Sequence, residues 1–207
     1  MNERPRVAVV DHGAGNLVSI SQALERVGAE AVLAADPGVL AGVDGVVLPG
    51  VGSTGAVMSG IAAGGFTEPL TQVSVPLLGI CVGMQVLFDG SDEDDAACLG
   101  LIPGRVCRLE EAPTLPHIGW NDLELTGVSD LFAGIDEPVV YFVHSYAPVP
   151  EDSATVTATT VHGRRFVAGV RAGSVEGVQF HPERSGVTGL RILSRYVDRC
   201  RSRRRAA

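Results

Sequence analysis

Residues 76–88, PLLGICVGMQVLF, join a continuous apolar run to a helical pattern, with one cysteine at the junction. We predict a buried strand over Pro76–Ile80, followed at once by Cys81 and a helix that runs to about Phe88. Upstream apolar runs predict three more strands: Arg6–Val10, Ala31–Ala34 and Val43–Leu48. Apolar residues at helical spacing also predict a helix that ends at Gly28; they are Leu17, Ile20, Leu24 and Val27. Alternation of apolar strands with helices predicts a parallel sheet that helices cover on both faces.

The second half of the chain carries short strand-like runs at close spacing, which predicts antiparallel or mixed pairing added to the parallel core. These runs are Val106–Leu109, Val139–Val143, Ala154–Val161, Phe166–Arg171 and Val175–Phe180. Apolar residues at helical spacing over 190–197 mark a closing helix, and five arginines in Arg199–Arg205 indicate a solvated, frayed tail over about 199–207. No repeat or linker interrupts the pattern, so we predict a single domain over residues 1–207.

Composition and charge exclude several classes of protein. With 207 residues, 45% of them hydrophobic, the chain is long enough to bury a core, and wholesale disorder is excluded. A net charge of −8 argues against a general nucleic-acid binder. All 16 basic residues are arginine, which excludes catalysis by lysine. The stretch Gly45–Phe66 carries no charge over 22 residues, but its seven glycines predict strand, loop and small-residue packing rather than a membrane span.

Neither a targeting segment nor a cysteine framework is expected. The apolar run Val7–Val10 ends at Asp11 and is too short for a signal peptide. The four cysteines include no C-x-x-C pair; they are Cys81, Cys98, Cys107 and Cys200. We therefore expect no metal site and no disulfides, and a reducing cytoplasm as the location.

The sharpest local signal is Gly79-Ile80-Cys81-Val82-Gly83, the cysteine counterpart of the G-x-S-x-G nucleophile elbow. Glycines two residues to either side of the cysteine leave room for a tight turn between strand and helix. A helix N-terminus beneath the sulfur favours the thiolate, and the amide of Val82 points to where an oxyanion forms. The alternative is a buried structural cysteine in a glycine-rich turn, but the strand, the helix and both glycines favour a nucleophile.

A cysteine nucleophile needs a base and a group that orients the base. Five histidines compete for the role of base: His12, His117, His144, His162 and His181. His181 is favoured because it follows an apolar strand in the motif Gln179-Phe180-His181-Pro182-Glu183. Residues two apart in extended backbone share a face, so we expect Glu183 to bind one ring nitrogen and leave the other for Cys81. Taken alone, the H-P-E motif also fits a surface ion pair at a strand end.

The loop Pro49-Gly50-Val51-Gly52 follows the third predicted strand. A glycine-flanked loop at the carboxyl end of a parallel strand can direct backbone N–H groups into a cleft. A plain strand–helix turn is the alternative interpretation. A phosphate cradle is disfavoured because no basic residue follows the loop.

In order and spacing, these three motifs resemble those of the class I (triad) glutamine amidotransferases across nearly the whole chain. Three further segments narrow the resemblance to the glutaminase subunits of imidazole glycerol phosphate synthases, from histidine biosynthesis. They are Asp11-His12-Gly13-Ala14-Gly15-Asn16-Leu17, Pro116-His117-Ile118-Gly119-Trp120-Asn121 and Tyr141-Phe142-Val143-His144-Ser145-Tyr146. The resemblance implies a flavodoxin-like α/β domain with a mixed, mostly parallel central sheet, and neither a metal nor an organic cofactor.

The resemblance also implies roles for individual residues. Cys81 would be the nucleophile, His181 the base and acid, and Glu183 the group that orients the histidine. The implied oxyanion donors are the amides of Val51 and Val82. The implied glutamine-binding residues are Gly50, Gly52, Gln85, Glu93, Ser145 and Tyr146. The residues implied at or near a partner interface are Asn16, Trp120, Asn121, His144, Tyr146 and Arg184, with core packing as the alternative for Trp120.

The implied partner is a (β/α)₈ barrel cyclase subunit that receives ammonia through an internal channel. The resemblance implies a heterodimer of the two subunits that makes imidazole glycerol phosphate and aminoimidazole carboxamide ribotide. It implies no binding to nucleic acid or to a membrane. Two departures from the family pattern concern the interface: His12 stands where tyrosine is usual, and Arg184 where lysine or glutamine is usual.

Three other functions are considered. A class I amidotransferase of another pathway, such as pyridoxal phosphate synthesis, should lack the P-H-I-G-W-N and V-H-S-Y segments. The H-P-E motif argues against a related cysteine peptidase. A non-enzymatic scaffold would usually have lost Cys81 or His181, and both residues are present.

Overall fold

The structure, a computed structural model, describes residues 4–206, with side chains up to residue 203. Its strands are β1 Arg6–Val10, β2 Glu30–Ala34, β3 Gly45–Gly50, β4 Leu77–Cys81, β5 Gly90–Ser91, β6 Ala96–Ala97, β7 Gly104–Arg108, β8 His117–Asp122, β9 Glu124–Leu125, β10 Val139–His144, β11 Tyr146–Pro150, β12 Val156–His162, β13 Arg164–Ala172 and β14 Val175–Val178. Its α-helices are α1 Leu17–Arg26, α2 Thr54–Ala63, α3 Thr67–Thr71, α4 Val82–Gln85 and α5 Gly186–Ala206. Among these residues, no helix is both long and apolar enough to span a membrane.

The central sheet has eight strands in the order β2-β1-β3-β4-β14-β13-β12-β9. Its first four neighbouring pairs are parallel and its last three are antiparallel, which confirms the predicted mixed, mostly parallel sheet. Strands β8 and β10 form a separate pair, and β11, β7, β5 and β6 form a third sheet. In the centre, Gly50 pairs with Cys81 and Val178 pairs with Ile80. The segments that follow β3, β4 and β14 therefore meet at one edge of the sheet.

The core lies around the three central parallel strands. Every residue of β3 and β4 is buried, as are the last four residues of β1. Ile192, Leu193 and Val197 of the closing helix belong to the same apolar cluster. Full burial of each such valine or leucine side chain contributes about 1.5–3 kcal/mol. This explains why the continuous apolar runs predicted strand positions well, to within one or two residues at most ends.

Three helices differ from the sequence-based prediction: α2 and α3 were not predicted, and α4 is shorter than predicted. Helix α2 lies in the uncharged stretch predicted as strand, loop and packing; the Ser53 side chain caps it by accepting a hydrogen bond from the amide of Ala56 at 3.3 Å. Its Gly60 is required by packing, because a Cβ there would overlap the carbonyl of His12. Helix α4 ends at Gln85 rather than near Phe88, since the carbonyls of residues 86–88 bond to the amides of residues 99–102 instead.

The structure also differs from the prediction at five strands and at the tail. The two-residue strands β5, β6 and β9 were not predicted, nor were β8 and β11, which follow no simple apolar run and are each set by pairing with another strand. The arginine-rich segment continues helix α5 to Ala206 instead of fraying at residue 199. The cause is visible at Arg199, which pairs with the buried carboxylate of Glu176 and donates to the Gly173 carbonyl at 2.8 Å. Residue 207 and the side chains of 204–206 lie outside the described part of the chain.

Candidate active site

Cys81 occupies a strained turn where β4 passes into α4. Its backbone has φ +55° and ψ −114°, a conformation that residues with a side chain rarely adopt. The flanking glycines make the turn possible: a Cβ on Gly79 would lie 2.6 Å from the Gly83 carbonyl oxygen, and a Cβ on Gly83 would overlap the Leu48 carbonyl of β3. The sulfur is therefore held at the sheet edge by a rigid, closely packed turn.

A cavity of about 140 Å³ lies beside Cys81. Its size suits a small metabolite rather than a large ligand. Its lining gathers residues from six separate parts of the sequence: Val51, Gly52, Cys81, Val82, Gln85, Glu93, Val143, His144, Ser145, Tyr146 and His181. Nearly all the residues predicted to act on glutamine thus surround one space. Gly50 is the exception; it lies behind the lining, where a Cβ would come 2.5 Å from the amide nitrogen of Gly83.

His181 and Glu183 form a buried pair next to the cysteine. The Nδ1 atom of His181 lies 2.9 Å from Oε1 of Glu183, and their side chains are only 6% and 4% exposed. Nε2 is buried and makes no well-aligned hydrogen bond to any described residue. Burial lowers the pKa of His181, but its interactions with Cys81 and Glu183 outweigh burial and raise the pKa to about 10. The imidazole therefore carries a proton at neutral pH, beside the sulfur.

A hydrogen bond from His12 anchors the loop Pro49-Gly50-Val51-Gly52. Nε2 of His12 donates a hydrogen bond to the Pro49 carbonyl at 2.7 Å, and the ring is buried. This histidine, at the position where tyrosine is usual, therefore stabilises the loop and is not part of the exposed surface. Val51 remains partly exposed on the cavity rim, and Gly52 has φ +88°, a conformation that favours glycine.

Glu93 reaches the cavity from the acidic segment Ser91–Asp95, which begins at the last residue of β5, and is fixed by helix α2. The amide of Thr54 donates to Oε2 of Glu93 at 3.0 Å, and the Thr54 hydroxyl donates to the Glu93 carbonyl at 3.0 Å. A carboxylate at a helix N-terminus is stabilised by free N–H groups and by the helix dipole. Arg105 braces the same segment through Asp92 at 2.5 Å and Asp95 at 3.1 Å.

A second hydrogen-bond network crosses the base of the cavity. Nε2 of Gln85 donates to the Tyr146 carbonyl at 3.0 Å and to Oε1 of Gln179 at 3.1 Å. The Tyr146 carbonyl also accepts from Nδ1 of His144 at 2.8 Å. Because both N–H groups of Gln85 are used, only its carbonyl oxygen is left for a further hydrogen bond. The sequence-based prediction assigned no role to Gln179, although the residue lies two positions before the H-P-E motif.

His144 was predicted on or near a partner interface, and its side chain is buried within this chain. It is only 6% exposed and belongs to the cavity wall. Its Nε2 lies 3.3 Å from Nδ1 of His117, whose ring stacks on His162 with centroids 4.1 Å apart. Burial lowers the pKa of His144 to about 3 and that of His117 to about 4. Both rings are therefore neutral at physiological pH.

The remaining residues predicted for the interface lie at or near the surface. Asn16 and Arg184 are exposed, and Asn121 is half-buried and donates to the Val161 carbonyl at 2.9 Å. Trp120 is 57% exposed, so its indole does not serve as core packing. Its ring instead meets Tyr141 edge-on at 5.9 Å.

Residues 8–198 match the sequence model of the class-I glutamine amidotransferases. This protein therefore belongs to the class I glutamine amidotransferase family, an enzyme family, as its motifs predicted. It is 47% identical to the imidazole glycerol phosphate synthase subunit HisH of Halobacterium salinarum, over 94% of this chain and 93% of that one. The HisH subunit of Xylella fastidiosa is 49% identical, over 93% of this chain and 96% of its own.

Solved structures show the same fold. A putative GMP synthase protein from Thermoplasma acidophilum superposes with a TM-score of 0.78 at 22% identity, covering 100% of this chain and 98% of that one. A glutamine amidotransferase gives a TM-score of 0.72 at 24% identity, over 95% and 98% of the two chains. At this level of identity the likeness concerns the fold, and it confirms the predicted α/β class.

Proposed function

We propose that this protein is the glutaminase subunit of an imidazole glycerol phosphate synthase in histidine biosynthesis. The observation that carries the proposal is the meeting of Cys81, on a strained turn, with His181, whose second ring nitrogen Glu183 holds at 2.9 Å. The family and its HisH relatives, at 47–49% identity, support the particular reaction and pathway. The protein would hydrolyse glutamine to glutamate and ammonia for a synthase partner.

The chemistry uses the three buried groups in sequence. The Cys81 thiolate attacks the side-chain amide carbon of glutamine, and a tetrahedral intermediate forms. His181, protonated at neutral pH, gives its proton to the departing ammonia, and a thioester remains on the sulfur. His181 then takes a proton from water, which attacks the thioester and releases glutamate. Glu183 stabilises the imidazolium and fixes which ring nitrogen faces the substrate.

Backbone amides at the end of β3 and the start of α4 supply the oxyanion donors in this proposal. Val51 and Val82 both line the cavity, and Gly50 pairs with Cys81 in the sheet. Each such donor is worth a few kcal/mol in the transition state. We infer that the Gly50–Val51 peptide reorients to complete this site, because a glycine meets little steric resistance to such a flip. The flip would couple hydrolysis to the partner.

Glutamine would be held at both of its ends. Gln85 lines the cavity and would accept a hydrogen bond through its carbonyl oxygen, because Tyr146 and Gln179 occupy its amide nitrogen. Glu93, anchored through one carboxylate oxygen by Thr54, keeps its other oxygen for the α-amino group. The Ser145–Tyr146 wall would close the remaining side of the site.

A route for ammonia would lead past His181 to the partner. A crevice of about 10 Å³ shares Val51 and His181 with the glutamine cavity and is also lined by Asn16 and Glu183. That volume matches one water-sized molecule, such as ammonia. The Val51 peptide therefore stands between the cavity and the crevice, where its movement would control passage.

Exposed apolar side chains surround the outer end of this route. Val18, Trp120 and Val187 are 67%, 57% and 68% exposed. A surface depression joins helix α1 to Glu183 and Val187, and Gly186 lies against the Trp120 ring. Large exposed apolar residues around a functional opening are typical of a protein–protein interface. We assign this surface to the (β/α)₈ cyclase partner, which would receive the ammonia directly.

The decisive experiment compares two nitrogen sources. The purified protein is mixed with phosphoribulosyl-formimino carboxamide ribotide and the cyclase partner, and formation of imidazole glycerol phosphate is followed with glutamine or with an ammonium salt. Cys81→Ala should reduce glutamine-dependent turnover by more than about 1,000-fold and leave ammonia-dependent turnover intact. Loss of both activities would indicate a structural role for Cys81, and a wild-type protein inactive with this ribotide would contradict the proposed pathway.

Cys98→Ala provides the matched control. Cys98 lies outside the cavity, and its thiol points to the Ala96 carbonyl at 3.8 Å. Both turnover rates should be retained in this variant.

The coupling of hydrolysis to the partner is tested in the wild-type protein. If the isolated chain hydrolyses glutamine as fast as the complex with ribotide bound, the proposed reorientation of the Gly50–Val51 peptide is wrong.

A further inference from the structure

Gln179 is a buried polar residue for which the proposed reaction has no role. It follows β14, two residues before His181, and its exposed fraction is 0%. A primary amide buried this deeply is costly unless its polar atoms have partners. Oε1 accepts a hydrogen bond from Gln85 at 3.1 Å, and Nε2 lies 3.7 Å from the sulfur of Cys81.

The direction of this amide follows from its neighbours. The Tyr146 carbonyl can only accept a hydrogen bond, so the Gln85 atom that faces it at 3.0 Å must be the amide nitrogen. The second N–H of that nitrogen faces Gln179, which must therefore present its oxygen there. Nε2 of Gln179 is thus directed at Cys81, because the reverse orientation would place two N–H groups against each other.

The sulfur lies between a donor and an acceptor. The Val143 carbonyl is 3.8 Å from Sγ of Cys81, and a thiol there can donate its proton to this oxygen. A thiolate cannot donate, and the carbonyl oxygen repels its charge, whereas the N–H of Gln179 attracts it. The two neighbours therefore favour opposite protonation states of the same sulfur.

We propose that Gln179 is a positioning residue that stabilises the Cys81 thiolate through its amide N–H, with Gln85 and the Tyr146 carbonyl fixing its direction. The proton that leaves Sγ goes to solvent water, because His181 already carries a proton at neutral pH. This inference rests on the proposed glutaminase function, since it concerns the same nucleophile. It adds a neutral donor to a site in which the Cys-His-Glu triad otherwise accounts for activation of the sulfur.

Gln179→Met tests the inference, because methionine has a similar length and no N–H. Alkylation by iodoacetamide is measured on the full chain from pH 5 to pH 10, and the Cys81 peptide is quantified by mass spectrometry. We expect half-maximal alkylation to move up by about one pH unit and the rate at pH 7 to fall about tenfold, with equal rates near pH 10. Other thiols interfere little: burial raises the pKa of Cys98 to about 11 and that of Cys200 to about 12.

A role in packing alone gives a different result. In that case Gln179→Met lowers the thermal unfolding midpoint but leaves the pH profile of alkylation unshifted, and this outcome would overturn the proposal. Gln179→Asn, which keeps the amide but shortens its reach, should shift the profile in the same direction. It provides the test if the methionine variant does not fold.

Gln72→Met is the control, because it makes the same chemical change at the end of helix α3. There the Gln72 side chain donates a hydrogen bond to Glu68, and the variant should leave the alkylation profile unchanged.

Turnover by the complex with the cyclase adds a second readout. Gln179→Met should lower kcat/KM for glutamine about tenfold at pH 7, recover part of the loss at higher pH, and leave ammonia-dependent turnover unchanged. Alkylation uses no glutamine, so the two proposals can fail separately. A wild-type protein without glutaminase activity contradicts the proposed function, whereas an unshifted alkylation profile contradicts only the role of Gln179.

Discussion

Replacement of His144 by asparagine should make the protein less sensitive to acid. The His144 ring is buried, and burial lowers its pKa from 6.5 to about 3. Between pH 6.5 and pH 3 the unfolded chain binds a proton at this residue and the folded chain does not. Acidification through this range therefore favours unfolding, and stability rises with pH across it. Asparagine keeps an N–H for the Tyr146 carbonyl and removes the titration.

The magnitude follows from the two pKa values. At pH 5 the unfolded-state pKa lies about 1.5 units above the pH, and each unit corresponds to about 1.36 kcal/mol, so His144 alone costs about 2 kcal/mol of stability relative to pH 7.5. That is a large part of the roughly 5–15 kcal/mol typical of a domain. His117, whose pKa burial lowers to about 4, acts in the same direction. The raised pKa of His181 acts oppositely; its stabilisation is present below pH 6.5 and is lost as the pH rises toward 10.

Urea unfolding at pH 7.5 and pH 5.0, analysed by linear extrapolation, measures the effect. The wild-type protein should lose about 2 kcal/mol more than His144→Asn between these pH values. His162→Asn serves as the control, because it removes a less buried ring of the same cluster and should keep most of the acid sensitivity. Equal losses in the wild-type protein and His144→Asn would refute the inference that burial keeps His144 neutral.

Three further changes probe the turn, the triad and the surface. Glu183→Gln should lower kcat/KM for glutamine about 100-fold, because the charge-assisted hydrogen bond to His181 at 2.9 Å becomes a neutral one. For the same reason the raised pKa of His181 should fall, which the pH–rate profile measures. Gly83→Ala should cost about 2–3 kcal/mol in urea unfolding, since the new methyl group overlaps the β3 backbone. Trp120→Ala should weaken binding to the cyclase about 30-fold in calorimetry while leaving the unfolding midpoint unchanged, because the indole is largely exposed.

Each of these expectations has a contrary outcome. An unchanged pH–rate profile in Glu183→Gln would mean that Cys81 alone sets the protonation of His181. A Gly83→Ala variant as stable as the wild-type protein would show that the elbow can relax away from β3. If Trp120→Ala binds the cyclase with wild-type affinity, the partner surface does not include strand β8.

Local patterns in the sequence were sufficient to locate the central strands, the turn at Cys81 and the contact of His181 with Glu183. Burial on both faces requires continuous apolar runs, and such runs are visible without tertiary information. The tight turn at Cys81 requires glycines at 79 and 83, because a Cβ at either position would collide with backbone. The contact between His181 and Glu183 was expected from an extended backbone, but Pro182–Arg184 form a short 3-10 helix that starts after His181, and this turn places Oε1 of Glu183 2.9 Å from Nδ1 of His181.

Other features were decided only by the tertiary structure. Helix α2 contains two glycines and is weak by propensity, yet Gly60 permits close packing against the His12 carbonyl. Strand β8 forms because its backbone pairs with β10, which lies about twenty residues further along the chain. The burial of His144 depends on rings from other strands, and nothing in its local sequence distinguishes it from a surface histidine.

The sequence by itself therefore determined the central strands, the tight turn at Cys81 and the pairing of His181 with Glu183, because each depends on steric or periodic constraints within a few residues. Only the tertiary structure decided which polar side chains surround the sulfur. Gln85, Gln179 and the Tyr146 carbonyl are far apart in sequence, and the direction of each hydrogen bond depends on the donor or acceptor that folding places opposite it.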